Sequence, residues 1–163
     1  MAGAAALTVL LVVVVMTLRS GARPEEAVAA TFVSAMLAGD AEAAYELAAP
    51  DYQLLVRPSD LATLAAALRE VAGDGARIEI VGSERSGASA PLASLVGYVG
   101  RTSVGAVEGV VSLVQLEDDG AWLVRDLSYR FPDASGAELA EVHRVTRSLN
   151  EAVADRAEAA STG

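Results

Sequence analysis

Residues 107–131, VEGVVSLVQLEDDGAWLVRDLSYRF, constrain the fold of this chain more than any other stretch. Val110 to Leu116 is rich in β-branched and aliphatic residues, and Ala121 to Phe131 mixes aliphatic, aromatic and charged ones. Such side chains fit a pleated, half-buried backbone. Glu117-Asp118-Asp119-Gly120 separates the two runs. An Asp-Gly pair suits the positive φ angles of a type I′ turn, whose twist matches that of its strands. The pattern predicts a long hairpin. In its second strand Leu123, Leu127, Tyr129 and Phe131 share one parity, interrupted by Arg125, while Trp122, Val124, Asp126 and Ser128 share the other. Alternate residues of a strand face opposite sides. Both faces therefore carry apolar residues, one expected to meet helices and the other to line a cavity or a partner surface.

Upstream of the hairpin the chain reads first as helices, then as strands. Pro24-Glu25-Glu26 is a favourable helix start, since proline is tolerated in the first turn and acids suit the positive end of the helix dipole. Val28, Phe32, Ala35 and Met36 follow at helical spacing. Gly39 ends this helix, and Asp40 caps a second over Ala41 to Ala48 that Pro50 is expected to stop. Ser59 is placed to cap a third, whose Leu61, Leu64, Leu68 and Val71 form one apolar stripe. Arg77 to Glu84 alternates as a strand, Ser86 to Pro91 reads as a loop, and Leu92 to Thr102 reads as a second strand whose Gly97 and Gly100 suggest bulges or bends. Beyond Pro132, Ser135 and Glu138 have capping-box spacing, and Leu139, Val142, Val145, Leu149 and Val153 make an apolar stripe. That stripe predicts a final helix from about Gly136 to Ala160, docked on its own domain or paired with another helix. Helices followed by strands imply an α+β fold: three helices on a curved antiparallel four-stranded sheet, with a C-terminal helix added. The division expected is residues 1–22, 23–132 and 133–163.

The first of those segments contains AGAAALTVLLVVVVMTL, residues 2–18, without a single charge. Its length lies within the range of a membrane-spanning helix. It reads either as a retained transmembrane anchor or as a signal peptide cleaved near Ala22, where Ser20-Gly21-Ala22 supplies small residues. Arg19 and Arg23 follow the run and nothing basic precedes it, which by the positive-inside rule alone would leave the domain in the cytoplasm. A small domain behind one N-terminal apolar run is nevertheless the usual layout of an exported module. The expected location is therefore the cell membrane with the domain extracytoplasmic, or outside the cell after cleavage.

Charge and residue usage then narrow the chemistry. The 12 basic residues, all arginine, face 22 acidic ones, a net charge of −10. Nucleic acid needs a dense basic surface, so it is not an expected partner. The chain has no cysteine and one histidine. That removes thiolate nucleophiles, cysteine-held metals and most histidine-dependent sites, and no cofactor or metal is expected. His143 reads as a surface residue of the tail helix. Gly97, Gly100 and Gly105 match no phosphate-binding fingerprint, and a P-loop needs a lysine this chain lacks.

Two phrases resemble a known family. TFVSAMLAGDAEAAYELAAPDY, Thr31 to Tyr52, is similar to the opening of nuclear transport factor two-like domains, where a helix ends at Gly-Asp before a short alanine-rich helix with an aromatic. DDGAWLV, Asp118 to Val124, resembles their last turn and final strand. The resemblance covers about residues 24–131 and looks closest to small membrane-anchored bacterial members of uncharacterised function. It implies a cone-shaped α+β fold without selecting an activity, because the superfamily holds isomerases, cyclases, scaffold subunits and secretion components. It also implies that a homodimer could form through the sheet.

Within that frame Asp126 is the one candidate catalytic residue, a proton-transfer base if it lies in an apolar pocket that raises its pKa. An exposed strand carboxylate is the plainer reading. Tyr45, Tyr52, Tyr98 and Trp122 are the candidates for lining a ligand pocket, with buried core as their alternative. Arg101 and Arg125 could hold a ligand carboxylate or pair with Glu79 or Glu108. The expected function is a non-catalytic binding module for a protein partner or a small apolar ligand. A scaffold subunit of an envelope or secretion machine, and a small isomerase or cyclase using Asp126, are the alternatives.

Overall fold

The computed structural model describes residues 23–87, 91–117 and 120–162. Four helices come first: α1 (Pro24–Ala38), α2 (Ala41–Glu46), α3 (Pro50–Leu55) and α4 (Pro58–Ala72). Four strands follow, β1 (Arg77–Ser86), β2 (Ala93–Thr102), β3 (Gly105–Gln115) and β4 (Trp122–Arg130), and then α5 (Ala140–Ser161). The strands form one antiparallel sheet in sequence order. The α+β class, the hairpin and the C-terminal helix agree with the sequence.

Two parts of the expected architecture are corrected. Pro50 does not simply stop a helix. It occupies the first turn of α3, where its missing N–H costs nothing, so four helices rather than three precede the sheet. Nor does the structure supply the expected transmembrane helix: among the described residues no helix is long and apolar enough to cross a membrane. Residues 2–18, on which that expectation rests, lie outside the described residues.

Helix α1 is buried on several sides at once. Val28, Phe32, Val33, Met36 and Leu37 are all removed from solvent between the sheet and α4. Gly39 closes α1 with φ 77°, a left-handed conformation glycine adopts without a Cβ penalty. From α4 the whole stripe of Leu61, Leu64, Leu68 and Val71 enters the same core. The sheet contributes Val96, Tyr98, Val107, Val111, Leu113 and Val124. The opposite sheet face is open, and Val81, Leu95, Val99 and Val110 are exposed among the larger apolar side chains.

The parity conflict in β4 is resolved by a bulge. Ser112 pairs with Asp126 and Leu113 with Val124, leaving Arg125 as an extra residue. A one-residue insertion shifts every later side chain to the other face. Trp122 and Val124 before the bulge, and Leu127, Tyr129 and Phe131 after it, therefore all join the helix-side core. A second bulge sits at Val81 of β1, across from Gly97 and Tyr98, while Gly100 stays in regular register.

The hairpin connection is longer than a two-residue turn. Leu116 N–H donates to the Ala121 carbonyl (2.9 Å), which places residues 117–120 in the loop. Of the Asp119-Gly120 pair that carries the type I′ expectation, Gly120 has φ 68°, while Asp119 lies outside the described residues. At the tail the Ser135–Glu138 box forms, with Ser135 N–H donating to Glu138 Oε2 at 2.8 Å. It closes a turn ahead of α5, which begins at Ala140.

Candidate functional site

The edge of β4 organises a cleft on the helix side of the sheet. Val124 N–H donates to the Leu47 carbonyl (2.8 Å), and Ala49 N–H donates to the Val124 carbonyl (2.7 Å). This short parallel bridge between Ala48 and Val124 fixes residues 47–49 against the sheet edge. Pro50 immediately starts α3, so Asp51 and Tyr52 stand over β4. The bulge then sets Arg125 toward α3, where its Nη2 lies 2.6 Å from Asp51 Oδ2.

Helix α5 supplies the other wall. Arg156 Nη1 donates to the Leu55 carbonyl (2.5 Å) and to Asp60 Oδ2 (2.6 Å), tying α5 to the end of α3 and the start of α4. This contact is half-sheltered from solvent, and Arg156 holds the Asp60 carboxyl below its usual range although burial pushes it the other way. Tyr129 from β4 meets α5 through a 2.5 Å contact between its hydroxyl and Thr146 Oγ1. Thr146 donates its own proton to the Val142 carbonyl (2.7 Å), so Tyr129 is the donor of the pair.

Between these elements lies a cleft of about 290 Å³. Its body is apolar, lined by Leu55, Val56, Leu64, Leu127, Leu149 and Val153. Its polar side chains are Asp51, Tyr52, Arg125, Asp126, Tyr129, Thr146 and Asn150. They divide into two sets. Arg125 and Asp51 pair with each other, and Tyr129 and Thr146 are bonded to each other. By contrast, the Tyr52 hydroxyl, the Asp126 carboxylate and the Asn150 amide have no protein partner among the described residues. Burial first, then the charge of Asp126, pushes the Tyr52 phenol up to about 12, so it stays a neutral hydroxyl at physiological pH.

Comparison with family models, with characterised proteins and with solved structures gives no match to this chain. The resemblance to nuclear transport factor two-like domains therefore stands on the two sequence phrases alone, and the site is read from its geometry.

Of the four aromatics singled out from sequence, only Tyr52 lines the cleft. Tyr45 joins α2 to α3: its hydroxyl donates to the Gln53 carbonyl (3.3 Å), and Gln53 Nε2 returns a bond to the Tyr45 carbonyl (2.9 Å). Tyr98 is a core residue whose hydroxyl donates to the Ser128 carbonyl (3.0 Å). Burial raises its phenol far above the ordinary range. Trp122 is buried elsewhere on the sheet, with the Arg85 guanidinium 5.5 Å from its ring centre. Asp126 does line the cleft, but as an exposed group at the rim and not as an acid enclosed by apolar walls. His143 is exposed on α5, as expected. Arg125 pairs with Asp51 instead of Glu79 or Glu108, and Glu108 pairs with Arg130 (2.8 Å).

The residues that sequence reading missed as site residues are Asp51, Leu55, Val56 and Leu64 from the helices before the sheet, Leu127 and Tyr129 from β4, and Thr146, Leu149, Asn150 and Val153 from α5. Leu149 and Val153 belong to the α5 stripe, and only their partial burial shows that the stripe's second half faces a cleft and not a closed core.

Proposed function

We propose that this chain is a non-catalytic binding module that holds a small, mainly apolar ligand in the cleft between α3, β4 and α5. The observation that carries this reading is the pairing of an apolar body with three polar groups on its lining, Tyr52, Asp126 and Asn150, that make no side-chain bond to the described residues. Its volume, about 290 Å³, is room for about ten waters at ~30 Å³ each, which fits a small ligand. The uncharged run of residues 2–18 supports action outside the cytoplasm, at the membrane or released from it. The likeness to nuclear transport factor two-like domains is consistent with such a role. Proton transfer by Asp126 is disfavoured, because the carboxylate stands exposed at the rim and not enclosed by the apolar body of the cleft.

Hexan-1-ol is a suitable first probe, with methyl NMR shifts of Leu127, Leu149 and Val153 as the readout. Binding in the millimolar range is expected for so few atoms. Leu149→Trp, which fills the cleft from α5, should abolish those shifts. Shifts spread evenly over the core, or unaltered by the substitution, would sink the cleft as the binding site.

A second reading, a protein partner or a second copy on the open sheet face, is favoured by the exposed Val81, Leu95, Val99 and Val110. Val81, Val99 and Val110 border a shallow trough of about 480 Å³, flanked by the Glu108–Arg130 pair. A scaffold role in an envelope machine would use such a surface. If a homodimer forms there, light scattering at micromolar concentration gives a doubled mass that Val99→Glu halves. A monomeric mass for the unaltered chain would count against the homodimer.

A further inference from the structure

We infer that the cleft selects apolar ligands that carry a protonated primary amine. This rests on the cleft being the binding site and goes on to name the head group. Among the described residues Arg125 is the one cation lining the cleft, and Asp51 pairs with it at 2.6 Å. An incoming carboxylate would have to share Arg125 with Asp51 and would face Asp126 as a like charge. The acidic chain as a whole, at −10, opposes anions further.

The unbonded groups have the opposite preference. Asp126 accepts only, the neutral Tyr52 hydroxyl can accept, and the Asn150 amide offers its carbonyl oxygen. An alkylammonium head presents three N–H donors on one nitrogen, as a lysine side chain does. Acceptors for such donors lie on the lining of this one apolar cleft, with Asp126 near enough to Tyr52 for its charge to act on the phenol. A quaternary ammonium has no such donors and needs a cage of ring faces, whereas only Tyr52 and Tyr129 are available here. Asp126 lies close enough to Tyr52 that, after burial, its charge also pushes the phenol up. The alkyl part of the ligand then lies against Leu127, Leu149 and Val153.

The test compares hexylamine, hexan-1-ol and hexanoate on the full chain at pH 7 and low salt, read by the methyl shifts of Leu127 and Leu149. Hexylamine is expected to bind about fivefold tighter than the alcohol, the size of a partly exposed charge pair. Hexanoate should bind weakest. Salt should narrow the amine's advantage, and Asp126→Asn should bring the amine-to-alcohol ratio to about one. If the alcohol binds at the cleft as well as or better than the amine, the head-group inference is overturned while the cleft stands. If none of the three moves those methyl groups, the cleft and the inference fail together.

Discussion

Gly109→Ala is expected to destabilise the domain by about 3 kcal/mol, a fall of roughly 10 °C in Tm. Gly109 sits on β3 between Tyr98 of β2 and Tyr129 of β4. The absence of a side chain there opens a passage across β3, through which the Tyr98 phenol reaches the Ser128 carbonyl on β4 (3.0 Å). A Cβ at Gly109 would stand 2.0 Å from the Ser128 carbonyl oxygen and 2.7 Å from the Tyr98 hydroxyl. The first is a backbone atom, so the strand itself would have to move. The ladder is already adapted here, with Val110 N–H donating to Ser128 Oγ (3.2 Å) in place of a plain strand bond. Overpacking costs about 1–3 kcal/mol, and loss of the buried phenol bond adds about 1 kcal/mol. Urea unfolding followed by Trp122, the only tryptophan, reads the effect. Tyr98→Phe alone should cost about 1 kcal/mol. In the double variant the two losses should sum to less than their separate values, because the hydroxyl is a shared obstacle. A loss under 1 kcal/mol for Gly109→Ala would show that β3 and β4 are not packed in this way.

The same strand shows what a sequence can and cannot reveal. The β-branched runs and the Gly-containing loop were enough to place the hairpin, because strand propensity and turn chemistry are local. The facing of Trp122, Val124, Leu127 and Tyr129 was not legible, because it depends on one extra residue at Arg125. The sequence marks Arg125 only as a break in the apolar parity, which does not say that the strand bulges there; the bulge lies next to Val124, where Leu47 and Ala49 bond to the strand edge. Pro50 illustrates a related ambiguity. A proline both ends the helix before it and starts the one after it, and the six residues of α3 carry too little periodicity to announce themselves. Stripes on α1, α4 and α5 were read correctly because helical spacing of large apolar residues is a strong pattern.

The candidate site was less legible than the fold. Asp126 and Tyr52 were singled out for their chemistry and do share a cleft, but their neighbours come from α5, some twenty residues further along the chain. An aromatic residue carries no local sign of whether its ring will meet core or solvent, which is why Tyr45, Tyr98 and Trp122 drew attention while Tyr129 did not. The cleft exists because α5 is held at one end by Tyr129–Thr146 and at the other by Arg156, leaving a gap between. Such a gap is a property of three elements together and is written in none of them.

Glu25→Gln is the second substitution expected to have a large effect, about 2–3 kcal/mol at pH 7. The Glu25 side chain is fully buried at the start of α1, and Arg85 of β1 grips both its oxygens, Nε to Oε1 at 2.5 Å and Nη2 to Oε2 at 2.6 Å. Arg85 is 42% exposed, so the pair is only half withdrawn from water and the cost falls below that of a fully buried pair. Burial alone would raise the Glu25 carboxyl, but the Arg85 hydrogen bonds and charge prevail and hold it below the ordinary 4.5. A depressed folded value means that this stabilisation is fully present above about pH 4.5 and is lost as pH falls through the folded value. In Glu25→Gln that contribution to the acid slope disappears. In Arg85→Gln the carboxylate stays buried without its cation, its pKa rises above the unfolded value, and its contribution to the slope changes sign, with stability falling as pH rises. Asp60 is also depressed by an arginine partner, so it adds to the acid slope of all three chains and cancels in the comparison. Urea unfolding between pH 3 and 7, read through Trp122 beside Arg85, should therefore order the slopes as unaltered chain, then Glu25→Gln, then Arg85→Gln. Equal slopes in the three would mean that Arg85 does not control the ionisation of Glu25, and that α1 is joined to β1 by packing alone.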